Sequence, residues 1–173
     1  MSHSSSELSN ATVVLASSSP RRRELLAQVG VSVSVAPADV DESVLPQESP
    51  TDYVHRLARD KAKKVVASHP RALVIGADTT IADGVRILGK PDNRQHAIDM
   101  LTSLSAREHL VHTGVAVAGG SKVESTVVTT RVVFRSLSAN EIEQYVDSHE
   151  PFGKAGAYAI QGLGAVLIHQ SSL

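Results

Sequence analysis

Residues 11–30, ATVVLASSSPRRRELLAQVG, carry the clearest indication of fold, because they join a strand pattern to a helix pattern through a serine-rich turn. The first half is a run of β-branched and aliphatic residues typical of a buried strand. Ser19-Pro20 then supplies a helix N-cap with proline in the first helical position, and Gly30 marks the helix end. Such a turn leaves unpaired N–H groups at the positive end of the helix dipole, which favours an anion.

Three arginines occupy the first turn of this predicted helix, where positive charge opposes the helix dipole. We therefore expect at least one of Arg21, Arg22 and Arg23 to have a compensating partner, and phosphate is the natural candidate. A solvated basic helix start explains the same residues when this motif is taken alone. Other segments have to decide between the two.

Strand and helix patterns alternate along the rest of the chain. The predicted segments are the strand VSVSVAP (31–37), a helix starting at Ser49-Pro50, the strand RALVIGAD (71–78), the helix NRQHAIDMLTSLS (93–105), a hairpin around Gly119-Gly120, a helix capped by Ser138 and Glu141, and a final glycine-rich loop with AVLIH. Interleaved helices and strands predict an α/β class, a mixed twisted β-sheet with flanking helices. We expect one domain over residues 11–173, preceded by a disordered tail at residues 1–10.

Composition excludes several classes of function. The 173 residues contain no Trp, two Phe and three Tyr, and the net charge is -1, so neither stacking platforms nor a broad basic field for nucleic acid is present. The absence of Cys excludes disulfides, zinc-thiolate sites and thiol nucleophiles. No apolar run is long enough to span a membrane, and the first residues lack a signal-peptide pattern. We expect a cytoplasmic protein without nucleic-acid or membrane partners.

Lys61 lies on the apolar stripe of the second predicted helix, together with Val54, Leu57, Ala58 and Val65. That stripe should face the core. A lysine there either extends its ammonium group to water along the apolar surface or has a functional inward position, and both alternatives remain open.

Carboxylates follow two of the predicted strands. Asp78 ends RALVIGAD, and ligand sites of α/β proteins collect at the carboxyl ends of strands. The Asp-Gly pair at 83 and 84 predicts a two-residue hairpin turn in which Ala82 pairs with Val85, which would place Asp78 beside Lys90. A structural ion pair is the alternative for this lysine and carboxylate.

Asp41-Glu42 follows the second strand, although acidic residues are also common in loops. Taken together, the segments supply cations and a helix N-terminus for phosphates. They also supply carboxylates for a hard cation such as Mg²⁺ and for activating a water molecule. These groups are typical of an enzyme that hydrolyses nucleotide phosphates.

The sequence resembles the Maf-like nucleoside triphosphate pyrophosphatases. Seven motifs of that family occur here in family order: LASSSPRRRELL, Asp41-Glu42, RLARDKA, GADT (76–79), GKP (89–91), LSAREHLVHTGVA and KAGAYAIQGLG. Ala106 and Gly153 depart from the usual Gly and Asp of two of these motifs. The resemblance implies a nucleotide-binding cleft, an Mg²⁺ or Mn²⁺ cofactor, a nucleoside triphosphate substrate and a homodimer.

The resemblance also implies roles for individual residues. Asp78 would accept the proton of the attacking water. Glu42, also counted as catalytic, would help to place the metal or that water, with Asp78 as a second metal ligand. The triphosphate would be held by Arg22, Lys61 and Lys90, of which the two lysines also count as catalytic, together with Ser17 and Ser19.

Three positions distinguish branches of this family by their substrate. Arg21, Thr79 and Gln161 resemble the branch that hydrolyses dTTP and UTP to the monophosphate and pyrophosphate, with modified pyrimidine nucleotides as further candidates. The alternative is a non-catalytic nucleotide-sensing regulator linked to septum formation or cell division, which would keep the arginines without turning nucleotide over.

Overall fold

A computed structural model of the chain describes residues 12–173, so the tail predicted at residues 1–10 lies outside the described residues. Within this range the chain forms four α-helices and seven strands. Their bounds are β1 Val13–Leu15, α1 Pro20–Gln28, β2 Ser34–Val35, α2 Pro50–Val66, β3 Leu73–Asp83, β4 Arg86–Leu88, α3 Arg94–Leu104, β5 Glu108–Gly119, β6 Lys122–Phe134, α4 Ala139–Asp147 and β7 Ile168–Ser172. Two short 3-10 helical segments, Ala155–Ala157 and Leu163–Leu167, lie between α4 and β7.

The strands form a mixed sheet in the order β2-β1-β3-β5-β6-β7, with β4 paired to β3. β1 is parallel to β2 and to β3, whereas β4 and β7 pair antiparallel with β3 and β6. Parallel strands need helical crossovers and antiparallel ones do not, which accounts for the alternation of helices and hairpins along the chain. The predicted α/β class is confirmed.

The chain divides into two compact units. The described part of the first unit comprises residues 12–48, Asp52–Asp78 and Gly114–Val127. Its core consists of small and branched side chains: Val14, Ala16, Ala58, Ala62, Val65, Ala72, Val74, Ala116 and Ala118. Alanine dominates because the α2 backbone lies close to the strands, which leaves little room for side chains.

The second unit comprises Ser49–Thr51, Thr79–Thr113 and Val128–Leu173. Its core is larger and includes α3, α4 and an aromatic group in which His109, Phe134 and Tyr158 pack edge to face. His109 Nε2 lies 2.7 Å from the Tyr158 hydroxyl oxygen. Each unit thus has its own apolar cluster, and the single domain expected over residues 11–173 stays a prediction.

Local start and stop signals of the helices are confirmed. Ser19 is the N-cap of α1 with proline following it, and Gly30 adopts a φ of +78° beyond the helix end. Asn93 caps α3 through its side chain, and Ser138 with Glu141 forms the predicted capping box of α4. Each of these signals acts within one helical turn, so they can be identified without tertiary context.

Strand predictions were less accurate. The strand predicted over residues 31–37 pairs only at Ser34–Val35. The predicted hairpin register is wrong by two residues, because Asp83 pairs with Arg86 and the turn is Gly84-Val85. Gly84 occupies the first central position of the observed turn with a φ of +62°, and one common type of two-residue turn requires glycine there. The predicted and the observed register therefore both place suitable residues in the turn.

Ala106 replaces the usual glycine of its motif and has a φ of +56°, in the left-handed region that L-amino acids disfavour. The turn therefore keeps the backbone conformation that glycine allows, at some cost in stability.

Within residues 12–173, no helix is both long and apolar enough to cross a membrane.

Candidate active site

Two glycines bring α2 close to the strands of the first unit. A Cβ atom on Gly76 in β3 would overlap the Ala58 carbonyl, and one on Gly114 in β5 would overlap the Val54 carbonyl. Both carbonyls belong to α2, so its backbone packs directly against β3 and β5. This close packing determines where the next inward-facing residue of α2, Lys61, can reach.

Lys61 is buried, with only 7% of the residue exposed, and its stripe neighbours Val54, Leu57, Ala58 and Val65 are buried as well. Its ammonium nitrogen lies 2.6 Å from Asp78 Oδ1 and 2.7 Å from Glu42 Oε1. Of the two alternatives for Lys61, the structure therefore shows an ammonium group that points inward and not one that extends to water. Two carboxylates from distant parts of the sequence share one buried cation.

Asp78 lies within β3 and not at its end, which corrects the position expected from the sequence. β3 continues because its last three residues pair with β4. However, the ladder with β1 stops at Ile75, so Asp78 lies just beyond the parallel pairing of these strands. Burial raises the pKa of Asp78 above its usual range, although Lys61 and Arg22 favour the charged form. The result is a carboxylate that is more basic than an ordinary aspartate.

Arg22 provides a second cation in the same unit. Its guanidinium donates to Ser17 Oγ at 3.0 Å and to the Ala77 carbonyl at 2.9 Å. Burial lowers the pKa of Arg22, while the negative charges of Asp78 and Glu42 raise it. Arg22 is thus fixed between the turn after β1 and the residue that precedes Asp78, which is the compensated arginine expected from the sequence.

The turn after β1 contains the other predicted phosphate ligands of this unit. Ser19 makes no side-chain capping bond, and its backbone N–H donates to Ser17 Oγ at 3.3 Å. Arg21 is half-buried next to Arg22 and lowers the pKa of Arg22 by charge repulsion. Two adjacent guanidinium groups at a helix N-terminus create a positive field, which favours an anion.

The structure also identifies residues around Glu42 that the sequence did not indicate. The Tyr53 hydroxyl donates to the Glu42 carbonyl at 2.9 Å, and burial together with the charges of Asp78 and Glu42 raises the pKa of Tyr53 to about 12. Arg56 donates to the Ser43 carbonyl and, through two bonds, to Glu48. These contacts attach the loop that carries Glu42 to α2. Arg56 belongs to the RLARDKA motif, but its partner lies in an irregular loop that no local pattern indicates.

The remaining predicted residues, Thr79, Lys90 and Gln161, belong to the second unit. Thr79 is exposed on β3, with its hydroxyl oxygen 3.1 Å from that of Thr113. Lys90 is exposed directly after Gly89, whose carbonyl accepts a hydrogen bond from the Gly156 N–H. Gln161 is exposed in the turn that precedes the second 3-10 segment. The β3–β4 pairs run from Ile81–Leu88 to Asp83–Arg86 and do not include Asp78 with Gly89, so the register predicted to place Asp78 beside Lys90 is wrong.

The first unit offers two carboxylates, Asp78 and Glu42, as oxygen donors to a divalent metal. Within residues 12–173, no group of three or more His, Cys, Asp or Glu side chains could hold a metal ion. The carboxylates of Asp78 and Glu42 both contact the ammonium group of Lys61, which holds two hard oxygen donors close together. Magnesium often takes only one or two protein carboxylates when phosphate oxygens and water complete its coordination, so this pair fits a metal that arrives with a triphosphate.

Comparison with known proteins bears out the family resemblance. The family model described as Maf-like protein matches residues 12–172. A dTTP/UTP pyrophosphatase of Myxococcus xanthus is 54% identical over 156 residues, which are 90% of this chain and 79% of that protein. A dTTP/UTP pyrophosphatase of Acinetobacter baylyi is 46% identical over 154 residues, covering 89% and 84% of the two chains.

Among solved structures, the Ham1 protein of Staphylococcus aureus is similar, with a TM-score of 0.50 over 71% of each chain and 14% sequence identity. At that identity the likeness concerns the fold alone.

Proposed function

This chain belongs to the Maf-like family, and on that premise we propose that it hydrolyses dTTP and UTP to the nucleoside monophosphate and pyrophosphate. The observation that carries the proposal is the buried Lys61 ammonium held between Asp78 and Glu42. A lysine on α2, a carboxylate on β3 and a second carboxylate from a loop that is bound to α2 lie next to a fixed arginine. They form a preorganised charged site of the kind that phosphoryl transfer requires.

In the proposed reaction, a water oxygen attacks the α-phosphorus and the bond from that phosphorus to the α,β-bridging oxygen breaks. Asp78 accepts the proton of the water, a role favoured by its raised pKa. Pyrophosphate leaves with the electrons of the broken bond. No covalent enzyme intermediate is required.

Fixed cations would stabilise the charge that develops on the phosphate oxygens. Arg22, Lys61 and Lys90 are the proposed triphosphate ligands, and Ser17 and Ser19 would donate hydrogen bonds at the start of α1. Lys61 has a second role in the proposal, because it holds both carboxylates in place before substrate binds. Such preorganisation lowers the cost of arranging charges during the reaction.

Glu42 and Asp78 are the proposed ligands of a divalent cation, Mg²⁺ or Mn²⁺. When bound, that ion would neutralise phosphate charge and polarise the phosphoryl oxygens. Proton transfer, phosphate binding and positioning of the carboxylates are the proposed roles of side chains of this chain.

Arg21, Thr79 and Gln161 are the proposed determinants of base choice. Uracil and thymine present two carbonyl oxygens on either side of one N–H, and a glutamine amide offers both a donor and an acceptor to that edge. Cytosine replaces one carbonyl and the N–H by an amino group and an unprotonated nitrogen, so some polar groups would stay unpaired.

The proposal is tested with the purified chain and a panel of UTP, dTTP, CTP, ATP and GTP in the presence of Mg²⁺ or Mn²⁺. Pyrophosphate and the monophosphate should form in equal amounts, fastest from UTP and dTTP. Release of inorganic phosphate with a diphosphate would contradict the reaction. Efficient hydrolysis of CTP would contradict only the base preference.

The nucleotide-sensing alternative has no support in these comparisons, whose relatives are described as pyrophosphatases. We further propose that the enzyme acts in the cytoplasm on free nucleotides, without nucleic-acid or membrane partners. The homodimer stays a prediction.

A further inference from the structure

The segment that carries Gln161 has little regular structure, yet several contacts hold it. Residues 159–164 begin after the first 3-10 segment and end inside the second, which starts at Leu163, and Gln161 itself is exposed. Two backbone hydrogen bonds turn the chain here, from the Gly162 N–H to the Ala159 carbonyl and from the Ala165 N–H to the Gly162 carbonyl. Gln161 lies outside both 3-10 segments, so contacts from other side chains contribute to the conformation of this stretch.

Glu150 supplies most of those contacts. Its Oε2 accepts the Leu163 N–H at 2.8 Å, and its Oε1 accepts the Gly164 N–H at 2.9 Å. The Tyr145 hydroxyl donates to Oε1 at 2.8 Å and accepts the Ala159 N–H at 3.2 Å. The two side chains therefore bind the segment on both sides of Gln161.

The glycines of this segment show how closely the two side chains fit. A Cβ atom on Gly162 would overlap the carboxylate of Glu150. One on Gly164 would lie 2.7 Å from the Tyr145 hydroxyl oxygen. The Ala159 carbonyl oxygen is equally close to Gly164, so the space at the two glycines is limited by the backbone of the segment as well as by the polar ends of Glu150 and Tyr145.

Glu150 and Tyr145 are attached to a rigid part of the second unit. Tyr145 lies on α4, next to the buried core residues Ile142 and Val146. Burial raises the pKa of Glu150, but the hydrogen bonds from Gly164, Leu163 and Tyr145 outweigh it, so that the pKa lies below its usual range. The carboxylate is therefore ionised at neutral pH and retains its full acceptor capacity.

The geometry points to Glu150 as the positioning residue for Gln161, with Tyr145 as its support, and thereby as a determinant of base selection. This inference rests on the proposed function of Gln161. Glu150 accepts hydrogen bonds from the backbone of Leu163 and Gly164, so it acts on Gln161 through the backbone of the segment. Misplacement of a recognising amide by about 1 Å is sufficient to impair discrimination.

The test is Glu150→Gln, which keeps the shape of the side chain. Its amide has one acceptor oxygen where the carboxylate has two, so at least one backbone N–H faces an NH₂ group. We expect the ratio of kcat/KM for UTP to that for CTP to fall about tenfold. Tyr145→Phe removes the supporting hydroxyl and should change the ratio in the same direction, which keeps the test available if Glu150→Gln does not fold.

Glu141→Gln is the matched control. It makes the same chemical change at the N-terminus of α4, where it removes the negative charge that pairs with Arg135, and the hydrogen bonds and ion pair of Glu141 go to Ser138 and Arg135. We expect it to lower thermal stability and leave the UTP to CTP ratio unchanged. If the ratio fell equally in Glu141→Gln and Glu150→Gln, a general loss of stability would explain both changes. That result would overturn the inference.

A double-mutant cycle with Gln161→Ala tests whether the effect passes through Gln161. Glu150→Gln should not reduce the ratio further in a Gln161→Ala background, because the recognising amide is already absent. An equal reduction in both backgrounds would overturn the inference.

Hydrogen exchange without nucleotide separates this inference from the proposed function. Peptides covering residues 159–164 should exchange faster in Glu150→Gln than in the wild type and in Glu141→Gln. Wild-type exchange in a folded Glu150→Gln variant would refute the positioning role. Absence of turnover on every nucleotide by the wild-type chain would refute the proposed function, and exchange would still decide whether Glu150 holds the segment.

Discussion

The two units present their candidate functional residues in different ways. In the first unit, Lys61, Asp78 and Glu42 contact one another, and Arg22 is fixed by two hydrogen bonds. In the second unit, Lys90 and Gln161 are exposed in irregular segments whose backbone is held by other residues. Lys61 and Arg22 are thus positioned by direct contacts of their charged groups, whereas the positions of Lys90 and Gln161 depend on contacts to the backbone around them.

Asp78→Asn should have the largest effect and would place the chemistry in the first unit. The amide cannot accept the proton of the attacking water, so kcat should fall about 10²- to 10⁴-fold while the fold is retained. Asp83→Asn is the matched control, because it makes the same change on the same strand at a residue paired with Arg107. Wild-type kcat in Asp78→Asn would remove this residue from the mechanism.

Lys61→Met tests whether the charged cluster also matters for stability. The substitution leaves the mostly buried Asp78 carboxylate without its nearest cation, which should lower the free energy of unfolding by about 3 kcal/mol at pH 8. Loss of the cation raises the pKa of Asp78 in the folded state, so the deficit should shrink as the pH falls and Asp78 becomes protonated. Denaturant unfolding at pH 5 and pH 8 measures this, with the exposed Lys64→Met as control.

The pH profile sharpens the same comparison without a large structural change. Asp78 must be ionised to act as a base, and burial raises its pKa. The acidic limb of kcat/KM should therefore lie at higher pH than ordinary aspartates titrate, with activity falling about tenfold per pH unit below it. The limb should persist in Asp83→Asn. A limb in the ordinary aspartate range would show that another group limits the reaction.

Gln161→Glu should act mainly on base selection, the role proposed for this residue of the second unit. An ionised glutamate cannot donate to the pyrimidine edge, so we expect the preference for UTP over CTP to fall about tenfold, with a smaller change in turnover on the best substrate. Competition assays with both nucleotides measure the preference. Gln170→Glu, an exposed position on β7, is the control. Equal discrimination by both variants would separate Gln161 from base choice.

Ala106→Gly should have the smallest effect, and it concerns stability only. Relief of the left-handed strain at Ala106 should exceed the entropic cost of glycine and raise stability by about 0.5 kcal/mol. For a chain of this size that corresponds to an increase in Tm of about 1 to 2 °C. The exposed Ala67, whose φ is not in that region, should lose stability as Ala67→Gly. A lower Tm for Ala106→Gly would contradict the assignment of strain.

Much of the fold was accessible from short segments of sequence. Ser19-Pro20, Asn93 and the Ser138–Glu141 pair begin helices through bonds that close within one turn, so their effect does not depend on distant residues. The hairpin between β3 and β4 was predicted in kind but not in register. Asp83-Gly84 and Gly84-Val85 both suit two-residue turns, and pairing along the strands decides between them.

The site shows the same division. The apolar stripe of α2 predicted which face of the helix is buried, but it left two positions open for the ammonium group of Lys61. The partners of Lys61 come from a loop and from β3, 19 and 17 residues away in sequence, and they meet it because Gly76 allows α2 to approach β3.

Local signals and motif order were therefore sufficient for the α/β class, the helix boundaries and the family. They could not identify the carboxylate partners of Lys61, the loop contacts of Arg56 or the acceptor role of Glu150. Capping, turn chemistry and amphipathic periodicity act over a few residues, so a linear sequence displays them directly. The pairing of buried charges depends on which backbones approach each other closely, and that is a property of the packed chain.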